Sequence, residues 1–189
     1  MAVRLKLKNV RLSYPQLFKA RDFQGNADFQ YSAVFLIEKG SETEKQVEAA
    51  ITEAAKEAWP KTWQKDVIQL KAQGSMKCCF VDGDATGKDG YEGYFALTAK
   101  RKQSDGRPAV AAREGTPISE GADGTPYGGC YVVASVEIYT QDSPSFGKGL
   151  RAGLRGVQFL RDGKSFGGAA PVSADDEFEA LGEEFADLV

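Results

Sequence analysis

The N-terminal stretch VRLKLKNVRLSY, residues 3–14, decides the fold class. Apolar and basic side chains alternate in residues 3–8, which is the period of a β-strand with one buried face. The phase then slips by one residue, and Val10, Leu12 and Tyr14 take the apolar positions. Such a slip indicates a β-bulge, which bends and coils a strand. The stretch therefore predicts a long, bent strand of the kind that a small closed barrel requires.

Further strand patterns and one helix pattern follow along the chain. Residues 31–37 are almost all bulky and apolar, and later strands are predicted at 76–81, 91–101, 109–112, 130–140 and 150–160. Ser41 and Glu44 form a capping box, after which apolar residues recur at helical spacing until Pro60 ends the helix. Trp59 and Trp63 are expected to cover the core. The pattern predicts a mainly β protein, with about seven strands and one long helix.

Composition excludes several classes of function. The 189 residues include no histidine, which excludes Ser-His-Asp and Cys-His catalysis and histidine-containing zinc sites. Cys78 and Cys79 are adjacent and Cys130 is distant, so we expect free thiols rather than a metal site or a disulfide. No apolar run approaches the roughly 18 residues of a membrane span, and the N-terminal residues lack the pattern of a secretory signal.

Charge divides the chain into two parts. No lysine or arginine follows Lys164, whereas residues 171–189 contain seven of the 27 acidic residues. Residues 1–170 hold all 24 basic residues against the remaining 20 acidic ones, a net charge of +4. We therefore expect a folded domain over 1–170 and a disordered acidic tail over 171–189, and the asymmetry favours a polyanionic partner.

The tail also carries apolar residues. They recur every three or four positions, as on one face of a helix that forms only when it docks. Such a tail can compete with DNA for the basic domain and can recruit protein partners. The residues assigned to partner binding are Asp175, Asp176, Glu177, Phe178, Glu183, Glu184, Phe185 and Asp187.

Basic and aromatic residues interleave on the predicted strands and their edges. Single-stranded nucleic acid requires this combination, because cations follow the phosphates while flat rings stack on unpaired bases. The candidate cations are Lys19, Arg21, Lys77, Lys100, Arg101, Lys102, Arg107, Lys148, Arg151 and Arg155. The candidate stacking rings are Tyr14, Phe18, Phe23, Tyr91 and Tyr94. For any one of these residues, a core or solvated position is the alternative.

The loop at 82–90 contains incomplete motifs. It begins like a calcium loop and contains a glycine-lysine pattern one residue short of a phosphate-binding loop. Asp82, Asp84 and Glu92 leave open a magnesium-dependent nuclease, provided that their carboxylates converge.

Several blocks together resemble a family of tailed-bacteriophage single-stranded DNA-binding proteins (SSBs), which is distantly similar to the SSBs of T-odd coliphages. The blocks are VRLSYPQLF at 10–18, YSAVFLI at 31–37, Tyr94-Phe95 with Arg107-Pro108, GCY at 129–131 and GVQFLRDG at 156–163. The resemblance implies an OB-fold, a five-stranded Greek-key barrel with added strands and loops. It also implies no enzymatic activity, an acidic tail that recruits replication proteins, and action in the cytoplasm of the infected bacterial host.

The sequence thus predicts a non-enzymatic SSB with little sequence preference and a role in phage replication, recombination and repair. We expect no cofactor, no bound metal and no membrane partner. Duplex DNA should bind only weakly, and removal of the tail could unmask this weak binding. An exposed strand edge would allow self-association along DNA. A virion or scaffold protein is the second alternative beside the nuclease.

Overall fold

Seven strands and two helices form the regular structure. The computed structural model describes residues 2–22, 25 and 27–166. The strands are β1 (Val3–Asp22), β2 (Phe29–Glu38), β3 (Phe80–Asp82), β4 (Tyr94–Lys102), β5 (Ala109–Ala111), β6 (Tyr131–Ser143) and β7 (Gly147–Arg161). The helices are α1 (Glu42–Ala58) and α2 (Trp63–Ala72), and neither they nor any other described helix could span a membrane.

Five of the strands close into a barrel. β1 lies between β2 and β6, β4 pairs with β2, and β7 pairs with β6, all antiparallel. One parallel pairing, Lys100 opposite Gly153, joins β4 to β7 and closes the barrel. β3 extends the sheet beside β4, and β5 pairs with β7. This arrangement confirms the predicted OB-fold with additional strands.

Bulges bend β1 as the sequence predicts. Its pairing with β6 shifts between Leu7 and Val10, and its pairing with β2 shifts after Ser13 and again after Gln16. Asn9 and Tyr14 lie at these shifts with positive φ angles of 55° and 45°. Non-glycine residues rarely adopt this backbone conformation. The strand continues to Asp22, well beyond the predicted stretch.

Helix α1 packs one face on the barrel. Ser41 accepts a hydrogen bond from the Glu44 amide at 3.2 Å, which confirms the capping box. Val47, Ala50 and Ile51 are buried with the barrel residues, and α1 contacts β1, β2 and β6. Burial of each large side chain stabilises the fold by roughly 1.5–3 kcal/mol. Trp59 is buried and Trp63 partly buried against the same core, as predicted.

Three details differ from the sequence prediction. Helix α2 was not predicted, because Leu70 is its one buried residue and its sequence lacks an apolar stripe. The strand predicted at 76–81 is reduced to β3, since Gly74–Met76 forms a 3-10 turn and Cys78 makes an isolated bridge with Leu150. The strands predicted at 130–140 and 150–160 extend towards each other as β6 and β7, which leaves only a tight turn at residues 144–146 between them.

All three cysteines are free and buried. Burial raises the pKa of the Cys130 thiol to about 11 and also raises the pKa of Cys78 and of Cys79. Because the thiolate is the reactive form, burial keeps these groups inert.

Candidate nucleic-acid interface

Four of the predicted cations lie on the outer side of β4 and β7, where the barrel closes. Lys100 is opposite Gly153 in the parallel pairing, and alternation along each strand brings Lys102, Arg151 and Arg155 to the same side. On β6, Tyr139 pairs with Arg151 and is 38% exposed. We call these five residues the seam surface.

Glycines separate the arginines of β7. Gly149 and Gly153 alternate with Arg151 and Arg155 on the outer side of the strand. They have no side chain, so nothing projects from the strand between the arginines on this face. A Cβ atom at Gly153 would lie 2.8 Å from Cγ of Glu137. The glycines thus leave room for the long side chains of this face.

Hydrogen bonds hold both arginines in place. Arg151 donates from Nε to Gln141 Oε1 and from Nη1 to the Met76 carbonyl, both at 2.9 Å. Arg155 Nη1 lies 3.3 Å from Glu137 Oε2. Fixed cations lose little rotamer freedom when they meet an anion, so these two arginines are positioned before any ligand binds.

The charged form of Lys100 is disfavoured by its surroundings. Burial, with a further effect of the positive charge of Arg151, lowers the pKa of its ammonium. Both effects disfavour the charged form. The negative charge of a phosphate placed beside Lys100 would offset them by favouring the ammonium, which makes this position favourable for a polyanion.

The β2–β4 face and the turns beside it are the region that OB-folds use for oligonucleotides. They bind on the face of the second and third barrel strands and on the loops that join strands one to two and four to five. Here those strands are β2 and β4, and the two connections run from β1 to β2, where residues 25, 27 and 28 are described, and from β6 to β7 at residues 144–146. Gln30 and Ser32 of β2 pair with Lys102 and Lys100, so polar residues continue the seam surface onto β2.

An exposed ring and a lysine mark one end of this face. Phe146, in the turn between β6 and β7, is 66% exposed, and its carbonyl accepts a hydrogen bond from Lys77. Lys77 follows Met76, whose carbonyl binds Arg151, so this end is continuous with the seam surface.

Lys148 instead stabilises the fold. Its ammonium lies 2.6 Å from Asp66 Oδ2 of α2 and 4.9 Å from the centroid of the Trp59 ring. The hydrogen bond from Lys148 holds the pKa of Asp66 below its usual value. This ion pair favours a structural role for Lys148 over the predicted contact with DNA, which stays a prediction.

Tyr91 is corrected, because its ring is inside a second apolar cluster. The cluster consists of Leu36, Tyr91 and Ala96 and covers the outer side of β2 and β4 beyond the seam surface. Tyr91 is only 3% exposed, and its hydroxyl donates to Ser13 Oγ at 2.9 Å. Burial raises the pKa of this phenol. Tyr94 packs, partly buried, on the same cluster.

Tyr14 lies on β1 at the edge of this cluster, and its ring is accessible. It is 60% exposed, and the Lys88 ammonium lies 4.8 Å from the ring centroid. Residues held in a rare backbone conformation often belong to functional sites. The predicted stacking role of Tyr14 thus fits its position.

The remaining predicted residues lie elsewhere. Phe18 packs on the core with the Arg107 guanidinium 5.4 Å from its ring centroid, and Lys19 pairs with Glu120 at 3.3 Å. Arg101 donates to the carbonyls of Gly106 and Asp105, which makes it a turn-holding residue rather than a free cation. Arg21 is exposed near the far end of β1. Phe23 and the eight tail residues, 175–178, 183–185 and 187, lie outside the described residues.

The three carboxylates of the nuclease alternative do not form a metal site, because Asp82 and Asp84 meet at a lysine and Glu92 is bound elsewhere. The Lys39 ammonium lies 2.6 Å from Asp82 and 2.5 Å from Asp84, so a lysine occupies the position between these two carboxylates. Glu92 accepts a hydrogen bond from the Gly90 amide instead. Among the described residues, no group of three metal-ligating side chains is assembled.

Sequence reasoning missed Tyr139. Period-two alternation along 131–140, with Val132, Ala134, Val136 and Ile138 buried, places Tyr139 on the outer side. That alternation was visible in the sequence. The sequence did not show that Tyr139 lies beside Arg151, because this contact depends on the register between β6 and β7.

Comparison with known proteins identifies the family. A family model described as "Enterobacter phage Enc34, ssDNA-binding protein" matches residues 3–189. The chain belongs to this family. Its members are DNA-binding proteins rather than enzymes, which confirms that the chain is not an enzyme.

Relatives and solved structures agree with this membership. Protein p50 of Acyrthosiphon pisum secondary endosymbiont phage 1 is 38% identical over 185 residues, which cover 96% of this chain and 97% of p50. The SSB of bacteriophage Enc34, solved in complex with ssDNA, is 27% identical with a TM-score of 0.71 and covers 87% of this chain and 89% of its own.

A more distant structure shares the fold alone. The SSB gp2.5 of bacteriophage T7 is 14% identical with a TM-score of 0.55, over 100% of this chain and 96% of its own. The predicted distant similarity to the SSBs of T-odd coliphages is confirmed at this level.

Proposed function

We propose that this protein binds single-stranded DNA across the seam surface, with little preference for sequence. The observation that carries the proposal is the juxtaposition of Lys100 and Lys102 of β4 with Arg151 and Arg155 of β7 on the outer side of the closed barrel. The relative solved with ssDNA adds support.

Phosphates and bases would contact different groups. The cations of the seam surface would neutralise phosphates and release condensed counterions, so affinity should fall as salt rises. Tyr139, Phe146 and Tyr14 offer exposed rings, and base stacking contributes about 1–3 kcal/mol per ring. Every base has a flat face, so stacking of this kind tolerates any sequence.

The rest of the chain fits an SSB of phage replication, recombination and repair in the cytoplasm of the infected host. In this proposal residues 1–170 form the DNA-binding domain. Residues 171–189, with seven carboxylates, compete with DNA for the basic surface and recruit replication or recombination proteins. Duplex DNA would bind weakly.

Fluorescence anisotropy over a series of salt concentrations tests the binding proposal. A labelled oligo(dT) should bind more tightly than a duplex of equal length, and log K should fall linearly with log salt. The double variant Lys102→Gln/Arg155→Gln should lower the magnitude of this slope by about 1.4, since each single-strand phosphate contact contributes about 0.7.

A helix variant is the matched control. Lys45→Gln/Lys65→Gln removes the same charge from exposed helix positions and should leave the slope unchanged. Equal slopes for the two double variants would exclude the seam surface. Failure of the wild type to bind oligo(dT) would overturn the function itself, and assembly without DNA would then favour a virion or scaffold protein.

A further inference from the structure

A second row of basic residues lies on β1, outside the seam surface. Arg4, Lys6 and Lys8 alternate with the apolar Val3, Leu5 and Leu7, and all three basic residues are exposed. No acidic residue occurs on β1 before Asp22. We call Arg4, Lys6 and Lys8 the β1 row.

Strand register joins the β1 row to the seam surface. Arg4 pairs with Glu137 and Lys6 with Ser135 on β6. The same two β6 residues pair with Gly153 and Gly156 on β7. β7 and β1 are therefore separated by β6 alone, a distance of about 10 Å at the usual strand spacing.

One carboxylate bridges this gap. Glu137 Oε2 lies 3.3 Å from Arg155 Nη1 and 3.8 Å from Arg4 Nε. Two guanidinium groups thus share a single carboxylate, and the trio keeps a net positive charge. The surface between the seam surface and the β1 row therefore stays positively charged in spite of this carboxylate.

Arg161 adds to the basic surface beyond Lys8. Its guanidinium lies 3.6 Å from the centroid of the Tyr131 ring, and Nη2 donates to Asn9 Oδ1 at 3.2 Å. By contrast, α1 holds five glutamates against two lysines. The barrel surface that carries the seam surface and the β1 row is therefore basic, whereas α1 is acidic.

We infer that the bound strand continues from the seam surface across β6 onto the β1 row, where Lys6 and Lys8 contact its phosphates. This inference rests on the proposed function and extends its footprint. Short oligonucleotides would occupy the seam surface alone. Longer ones would also reach the β1 row and gain its additional phosphate contacts.

A length series of oligo(dT) tests the inference. Affinity and salt slope are measured by anisotropy for the full-length protein, with oligonucleotides from about four nucleotides, the short end of an OB-fold site, upward. Lys6→Gln/Lys8→Gln should leave the shortest bound oligonucleotides unaffected. On long oligonucleotides the variant should lower the magnitude of the salt slope by about 1.4. Circular dichroism checks that the variant is folded.

The outcomes separate the two proposals. Lys45→Gln/Lys65→Gln is again the control and should match the wild type at every length. If Lys6→Gln/Lys8→Gln also matches the wild type at every length, the β1 row does not contact DNA, while the seam surface stands. If the wild type binds no oligonucleotide, both proposals are wrong.

Discussion

Single residues show how burial decides between a structural and a functional role. Tyr14 and Tyr91 look equivalent in the sequence, since each follows a basic residue by three positions. The structure buries Tyr91 against Leu36 and Ala96 and leaves Tyr14 exposed over a bulge. The chemistry of the residue type was predictable, whereas its accessibility depended on contacts distant in sequence.

Lys100 gives a prediction in the alkaline range. Its pKa is already lowered by burial, so part of the free protein carries a neutral Lys100 at alkaline pH. A bound phosphate favours the ammonium, so DNA binding is then coupled to protonation of Lys100 and weakens as pH rises. The affinity of the wild type for oligo(dT) should therefore decline at a lower pH than an ordinary lysine would produce. Lys100→Arg should decline less, because arginine stays charged.

The check is anisotropy at a series of alkaline pH values. Lys102→Arg is the control, since Lys102 is exposed, and it should follow the wild type. Superimposable curves for all three proteins would show that Lys100 does not meet a phosphate.

Helices and strands were predictable where their signals lie within a short stretch of sequence. Helix α1 was predicted from Ser41 to Pro60, because a capping box and an apolar stripe are both visible in the sequence. Helix α2 was missed, because its packing depends on Leu70 and on the pairing of Asp66 with Lys148 of β7. The seam surface likewise needed the β4–β7 register, which no local pattern contains.

The segment after β7 packs closely on Gly129 and Tyr131 and gives a prediction on stability. A Cβ atom at Gly163 would lie 2.2 Å from the Gly129 carbonyl oxygen. Gly163→Ala should therefore force backbone movement and lower the free energy of unfolding by about 1–3 kcal/mol. Denaturant unfolding measures this loss.

Gly128→Ala is the matched control for that variant. Its Cβ would meet only Pro15 Cδ, at 3.8 Å, which is ordinary contact. We expect a change within about 0.5 kcal/mol. Equal stabilities of the two variants would mean that the contact between Gly163 and Gly129 is looser than the structure indicates.

The whole molecule combines a basic barrel with an acidic C-terminal segment. The charge division was readable from the sequence, since counting gives +4 for 1–170 and −7 for 171–189. Counting could not show that the cations of β4 and β7 share one side of the barrel, because that depends on barrel closure.

Deletion of residues 171–189 should tighten binding to oligo(dT), because seven tethered carboxylates no longer compete with phosphates. The gain should be largest at low salt, where attraction between the two parts is least screened. Anisotropy of the truncated and full-length proteins measures it. Equal affinities at low salt would mean that the tail serves partners alone.

Ultraviolet cross-linking of oligo(dT) to the full-length protein, followed by peptide mapping, tests the central claim most directly. We expect cross-linked peptides from β4, from the β6–β7 hairpin with Tyr139 and Phe146, and from β1 around Tyr14. Cross-links confined to α1 and α2, with the β4 and β7 peptides unmodified, would contradict a binding site at the closure of the barrel.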